Sequence, residues 1–141
     1  MPDFPRLRVY LDANVLFSAS LNDNSRFLEF WRLRNVTPVT SRYAVGEVTR
    51  HLRFYGHDRR FESLLARTQI ISDADVRFIP SHIALVAKDA PILAAAISAS
   101  VDYLVTGDKN HFAHLYRTAI AGISVISPAD FLNLHKDRLI P

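Results

Sequence analysis

Four acidic residues stand out by where they fall in the chain. Asp12 follows the apolar run Leu7-Arg8-Val9-Tyr10-Leu11, and Asp108 follows Tyr103-Leu104-Val105-Thr106-Gly107. Both runs read as short strands. If they lie in one parallel sheet, their carboxyl ends share an edge, and open parallel sheets bind ligands along that edge. Two carboxylates 96 positions apart would then meet there. Asp89 is conspicuous for a different reason: Ile92, Leu93, Ala96 and Ile97 lie at i+3, i+4, i+7 and i+8 from it, so it heads an apolar stripe. An acid on a core-facing side needs a partner. An Asp closely followed by a Pro, here Pro91, is also an ordinary helix start, and the two roles are compatible. Glu47 flanks the stripe Val45, Val48, Leu52 instead of lying on it, and taken alone it reads as a solvated surface residue.

Converging carboxylates dictate the next step. Each close pair repels by about 4 kcal/mol at 4 Å with an effective dielectric near 20, so a cluster requires protons or a divalent cation. The chain has no Cys, and oxygen ligands favour a hard ion, Mg²⁺ or Mn²⁺, whose waters serve as nucleophiles in phosphodiester hydrolysis. Seventeen Lys and Arg against fourteen Asp and Glu give a formal charge of +3. With three Lys and the rest Arg, the basic residues suit bidentate contacts to phosphate. An acidic centre in a basic chain points to a nuclease. The densest basic cluster, Arg50, His51, Arg53, His57, Arg59 and Arg60, is interleaved with Phe54 and Tyr55. It could track a phosphate backbone and stack bases, or it could be a solvated helix junction with its aromatics in the core. Arg50, Arg53, Arg59, Arg60 and Lys109 are the candidate RNA contacts.

These residues need a scaffold. Residues 7–11, 36–40, 69–72, 103–106 and 123–126 read as five strands. Helical patterns fall between them: one entered at Asp12-Ala13-Asn14, a second over the Phe27, Leu28, Phe30, Trp31, Leu33 repeat, a third capped by Ser41, and a fourth over 58–68. A helical region after Pro80 is broken at Asp89 and runs to Ser100, and a last helix opens at Ser127-Pro128. Strands alternating with helices imply βαβ units and a mostly parallel sheet covered on both faces. Phe27, Phe30 and Trp31 are expected in the core. One domain over residues 1–132 and a loose tail over 133–141 complete this reading.

Composition removes other classes. With 141 residues, 49% hydrophobic, the chain is sized for one globular domain without disulfides. Gly occurs only at 46, 56, 107 and 122, so neither a phosphate-binding loop nor a dinucleotide fingerprint can be spelled. Leu16 and Phe17 stand where a calcium loop needs a ligand and a Gly. The longest charge-free apolar stretch is twelve residues, 90–101, against the roughly 20 of a membrane span, and Asp3, Arg6 and Arg8 interrupt a signal-peptide pattern. A cytoplasmic protein with no membrane association is expected. His111 and His114 have no third nitrogen ligand nearby, which argues against zinc.

In order, the chain carries Val9-Tyr10-Leu11-Asp12-Ala13-Asn14-Val15-Leu16, Glu47 in a helix, Lys88-Asp89-Ala90-Pro91-Ile92-Leu93-Ala94-Ala95-Ala96 and Asp102-Tyr103-Leu104-Val105-Thr106-Gly107-Asp108. Over residues 7–130 it resembles a PIN domain, and more narrowly the VapC-like toxins of bacterial toxin-antitoxin pairs. The resemblance implies a three-layer α/β/α fold and a metal-dependent ribonuclease that prefers single strands and leaves 5′-phosphate and 3′-hydroxyl ends. It implies that Asp12, Glu47, Asp89 and Asp108 form the acidic metal-binding quartet, with Asn14 and Thr106 in support; for Glu47 the match carries most of the assignment. A cognate antitoxin and a homodimer or higher oligomer are the partners it implies. One departure is plain: many members place another acid just before the Phe that follows the fourth acid, and here His111 precedes Phe112. The ion on that side is then expected to be weakly held or missing, in a one-metal mechanism.

The bland alternatives are turn chemistry for Asn14, β-propensity for Thr106, and a structural cap for Asp102. Two other functions compete. A PIN-like module that binds RNA or protein without efficient cleavage would show decayed acids, whereas all four are present. A phosphotransferase with Asp12 as covalent nucleophile typically carries a second Asp two residues on, where this chain has Asn14.

Overall fold

Alternation along β1 (Leu7–Leu11) already separates two cores. Val9 and Leu11 point to one face of the sheet and Tyr10 to the other, and all three are fully buried. A computed structural model describes residues 3–53 and 58–141 of the chain. It continues with α1 (Ala13–Leu21), β2 (Val36–Ser41), α2 (Arg42–Leu52), α3 (Asp58–Leu65), β3 (Gln69–Ile71) and α4 (Ala90–Ser98). Then come β4 (Tyr103–Val105), α5 (Lys109–Phe112), β5 (Ala119–Ile120), β6 (Ile123–Ile126) and α6 (Pro128–Leu134). The sheet has six strands in the order β3-β2-β1-β4-β6-β5, parallel except for the β5–β6 pair. Val15, Leu16, Phe61, Leu64 and Phe131 bring α1, α3 and α6 onto the Val9 face, and Ile92, Leu93 and Phe112 bring α4 and α5 onto the Tyr10 face. The expected α/β/α sandwich results, with α2 reaching both cores through Val48 and Ala44.

From β1 the chain winds outward to β2 and β3, then returns to β4 on the other side of β1. Leu11 pairs with Val105, so the two strands end level and the winding reverses between them. That switch point is the crevice of an open α/β sheet.

Four expectations need correction. Residues 27–33 form no α-helix: Arg26–Trp31 is a 3₁₀ helix, capped by Ser25, that seats Phe30 and Trp31 in the core. Residues 81–89 are turns and irregular backbone, because Ile83 and Leu85 reach the core in alternation with exposed neighbours, a period-two path that a helix cannot follow. The sixth strand, β5, has only two residues, too few for a readable alternation, and turns into β6 at Ala121-Gly122, both with positive φ. The C-terminal stretch is docked, not loose. Arg138, 5% exposed, donates to the carbonyls of Pro5 and Arg34 and lies 4.9 Å over the Phe4 ring, while Leu139 bridges to Leu33.

Among the described residues, no helix is long and apolar enough to cross a membrane.

Candidate metal centre at the switch point

Asp12 leaves β1 as the cap of α1. Its backbone N–H donates to the Val105 carbonyl, which ties the end of β1 to β4, and the residue is 6% exposed. Burial is tolerated because donors surround it. Oδ1 accepts from the Ala13 N–H at 2.6 Å, and Oδ2 accepts from the Thr106 hydroxyl at 2.7 Å and, weakly, from the Asn14 amide at 3.4 Å. Burial nevertheless pushes the Asp12 carboxyl up to about 6; the Thr106 and Ala13 bonds pull the other way, and the charges of Glu47 and Asp89 add to the rise.

Asn14 and Thr106 do more than turn the chain or fill a strand. Asn14 Oδ1 accepts from the Gly107 N–H at 2.8 Å, and the Thr106 hydroxyl oxygen accepts from the Asp108 N–H at 3.2 Å. The two turns that carry the acids are thus stapled together. Gly107 gives this approach room: a Cβ there would sit 3.1 Å from Asn14 Oδ1, and the amide would have to shift by a few tenths of an ångström.

Asp89 stands at the N-cap position of α4, but its side chain makes no capping hydrogen bond. It is 7% exposed and faces the other acids instead. Burial raises its carboxyl, His111 opposes the rise and Asp108 adds to it. Asp108 caps the short helix α5 through Oδ1, which accepts from the His111 N–H at 3.1 Å. Glu47 is half-buried on α2, its carboxyl also raised by burial, with Arg50 opposing.

All four acids line one cavity of about 250 Å³, together with Asn14, Phe17, His51 and Lys88. A cluster of ligand atoms at this site differs from the quartet. Single ligand atoms of Asp89, Asp108 and His111 lie within 4.8 Å of one another, whereas Asp12 and Glu47 stand outside that set. His111 Nδ1 is 2.6 Å from Asp89 Oδ2 and 2.8 Å from Asp108 Oδ2. Asp89 Oδ2 and His111 Nδ1 are both buried, yet neither is in a hydrogen-bond geometry. Buried oxygen and nitrogen ligand atoms that crowd together without a hydrogen bond suit a divalent ion. The acids present therefore fit a metal.

Two residues that the sequence did not assign to the site join it. Lys88, next to Asp89, brings a cation to the cavity, and His111, three residues after Asp108 on α5, joins the acids. His114 is not its companion, since its Nε2 contacts the Ala84 carbonyl. Asp102 is structural: it accepts from the Arg8 N–H at 2.8 Å and its own N–H donates to the Arg8 carbonyl. The basic candidates disperse. Arg60 pairs with Asp23 at 2.7 Å and with the Ser20 carbonyl, Arg53 lines a separate cavity with Phe61 and Leu65, and Arg59 is exposed on α3. Arg50 lies near Glu47, and Lys109 lines a groove beside Gly107. Phe54, Tyr55 and His57 lie outside the described residues.

A family model described as PIN domain matches residues 8–110, which run from β1 to the first half of α5 and include every acid of the cavity. The chain belongs to the PIN domain family. Among solved structures it is similar to a chain of the crystal structure of VapBC2 from Rickettsia felis bound to a DNA fragment from their promoter. The TM-score is 0.65 at 14% identity, over 86% of this chain and 98% of that one, a likeness of fold. No curated protein matches the chain.

Proposed function

We propose that the protein is a divalent-metal-dependent endoribonuclease that cleaves single-stranded regions of RNA. The observation that carries this is the convergence of Asp12, Glu47, Asp89 and Asp108 on one cavity at the β1/β4 switch point. Asp12, Asp89 and Asp108 would hold Mg²⁺ or Mn²⁺. When bound, such an ion neutralises charge on the scissile phosphate and lowers the pKa of its water. The Thr106 hydroxyl and Ala13 N–H keep Asp12 aimed, and Asn14 braces the turn opposite without adding charge. Glu47, half-buried across the cavity, orients the attacking water and takes its proton. The water oxygen bonds to phosphorus, the bond from phosphorus to the 3′-oxygen breaks and the departing 3′-oxygen takes a proton from solvent, leaving 5′-phosphate and 3′-hydroxyl ends. Lys88 at the cavity attracts the RNA backbone.

A toxin role in a type II toxin-antitoxin pair, in the cytoplasm, with a cognate antitoxin and a homodimeric or larger assembly, is the biological setting we propose. The fold shared with a VapBC2 chain supports it. Induced expression is then expected to arrest growth, with relief by a small co-encoded protein.

The test is cleavage of end-labelled single-stranded RNA with Mg²⁺, Mn²⁺ or EDTA, beside Asp12→Asn prepared identically. Metal-dependent cleavage lost in the variant is the expected result. Equal cleavage by both proteins, or none across several RNAs, would favour an RNA- or protein-binding module or a narrowly specific nuclease.

A further inference from the structure

We propose that His111 is a metal ligand: an ion held between Asp89 and Asp108 takes Nδ1 of His111 as a nitrogen donor, and this makes the centre prefer Mn²⁺ over Mg²⁺. The proposal rests on the reading of this site as a metal centre and goes beyond it in the donor set and the ion selected.

Geometry is the first argument. In either protonation state Nδ1 carries at most one proton, so it cannot give a full hydrogen bond to each of two carboxylate oxygens at 2.6 and 2.8 Å. Neither approach has hydrogen-bond angles for the buried Nδ1 and Asp89 Oδ2. A cation can satisfy all three atoms. Adjacent ligands of an octahedral ion at about 2.1 Å are roughly 3 Å apart, so the observed spacings open by only a few tenths of an ångström to admit one.

The surroundings make the second argument. Asp108 Oδ1 is spent on the His111 N–H, which leaves Oδ2 to face the ring. Asp89 is 7% exposed and its side chain is not spent on capping α4. His111 lines a neighbouring groove with Ile83, Leu85 and His114 and is not among the residues lining the acidic cavity, so its nitrogen does not occupy the space offered to RNA. Chemistry supplies the selectivity. Mg²⁺ takes oxygen ligands, whereas imidazole suits later and softer divalent ions, and Mn²⁺ accepts both. The replacement of a usual acid by His111 then changes the ion preferred instead of deleting an ion.

Pulsed electron paramagnetic resonance of Mn²⁺ bound to the full chain reads this directly, because a coordinated imidazole imprints ¹⁴N modulation on the signal. The expected result is ¹⁴N coupling in the wild type, retained in His51→Gln and lost in His111→Asp. Competition of Mg²⁺ against Mn²⁺ should show a preference for Mn²⁺ that falls by about tenfold in His111→Asp. Mn²⁺ bound by the wild type without ¹⁴N coupling would overturn the ligand role while leaving the metal-dependent nuclease intact. Failure of the wild type to bind Mn²⁺ at millimolar concentration would overturn both. The wild-type spectrum decides even if His111→Asp folds poorly.

Discussion

The two halves of the acidic cavity are built on opposite plans. On the β1 side every oxygen of Asp12 has a donor, from Ala13, Thr106 and Asn14, and the turn that carries it is bonded to Gly107. On the α4/α5 side Asp89 and His111 meet at 2.6 Å, and the buried atoms of that contact have no hydrogen bond at all. The first half is satisfied by the protein's own donors, and the second keeps buried ligand atoms that the protein leaves unsatisfied. A carboxylate in a full set of donors has its position set before a ligand arrives, whereas crowded, unsatisfied groups carry a cost that a cation relieves.

The largest effect should come from the satisfied half. Asp12→Asn is expected to lower RNA cleavage by at least about a hundredfold, roughly 3 kcal/mol of transition-state stabilisation, in either Mg²⁺ or Mn²⁺. Retained cleavage would remove Asp12 from the mechanism. The same variant tests the pH dependence in EDTA. The Asp12 carboxyl is raised from 3.8 to about 6 on folding, so the folded state binds the proton more tightly. Its contribution is therefore fully present below pH 4 and is lost as pH rises through about 6, by about 2–3 kcal/mol. Urea denaturation of the wild type from pH 4 to 7 should show that decline, and Asp12→Asn should flatten it.

Next in size is Thr106→Val, which leaves the buried Asp12 Oδ2 without its best donor. A loss of about 1–3 kcal/mol is expected, with rescue by Thr106→Ser. Asp89→Asn should behave in the opposite manner, because Oδ2 has no hydrogen bond to lose. Stability in EDTA should stay within about 0.5 kcal/mol while the rise in Tm produced by Mn²⁺ shrinks or disappears. A large loss of stability in EDTA would show that the two halves are alike. The smallest effect belongs to Arg60→Gln: its partner Asp23 is exposed, so less than about 1 kcal/mol of stability and no cleavage activity should be lost.

How legible each part was follows from the range of the interactions involved. The sandwich and five of its strands could be read because apolar runs broken by polar turns report burial over a few residues. Asp12 and Asp108 could be placed at one edge because both end such runs, and α2 and α6 begin where Ser41 and Ser127 cap them. The two-residue β5 and the path over 81–89 escaped because each is held by distant partners: β5 by its pairing with β6, and Ile83 and Leu85 by the core against which they pack. The basic cluster looked like one surface in the chain, yet Arg60 is tied to Asp23 and the Ser20 carbonyl and Arg53 lines another cavity.

The sequence by itself determined the layered α/β class, the carboxylate at each strand end and the stripe beneath Asp89. These depend on periodicity and on local cap and turn chemistry, which act within about eight residues. Only the tertiary structure decided that Asp89 faces the acids instead of capping its helix, that Asn14 and Thr106 staple two distant turns, and that His111 completes a cluster with Asp89 and Asp108. Those outcomes depend on which strands are neighbours and on the level register of Leu11 with Val105, a consequence of packing two whole cores that no stretch of eight residues encodes.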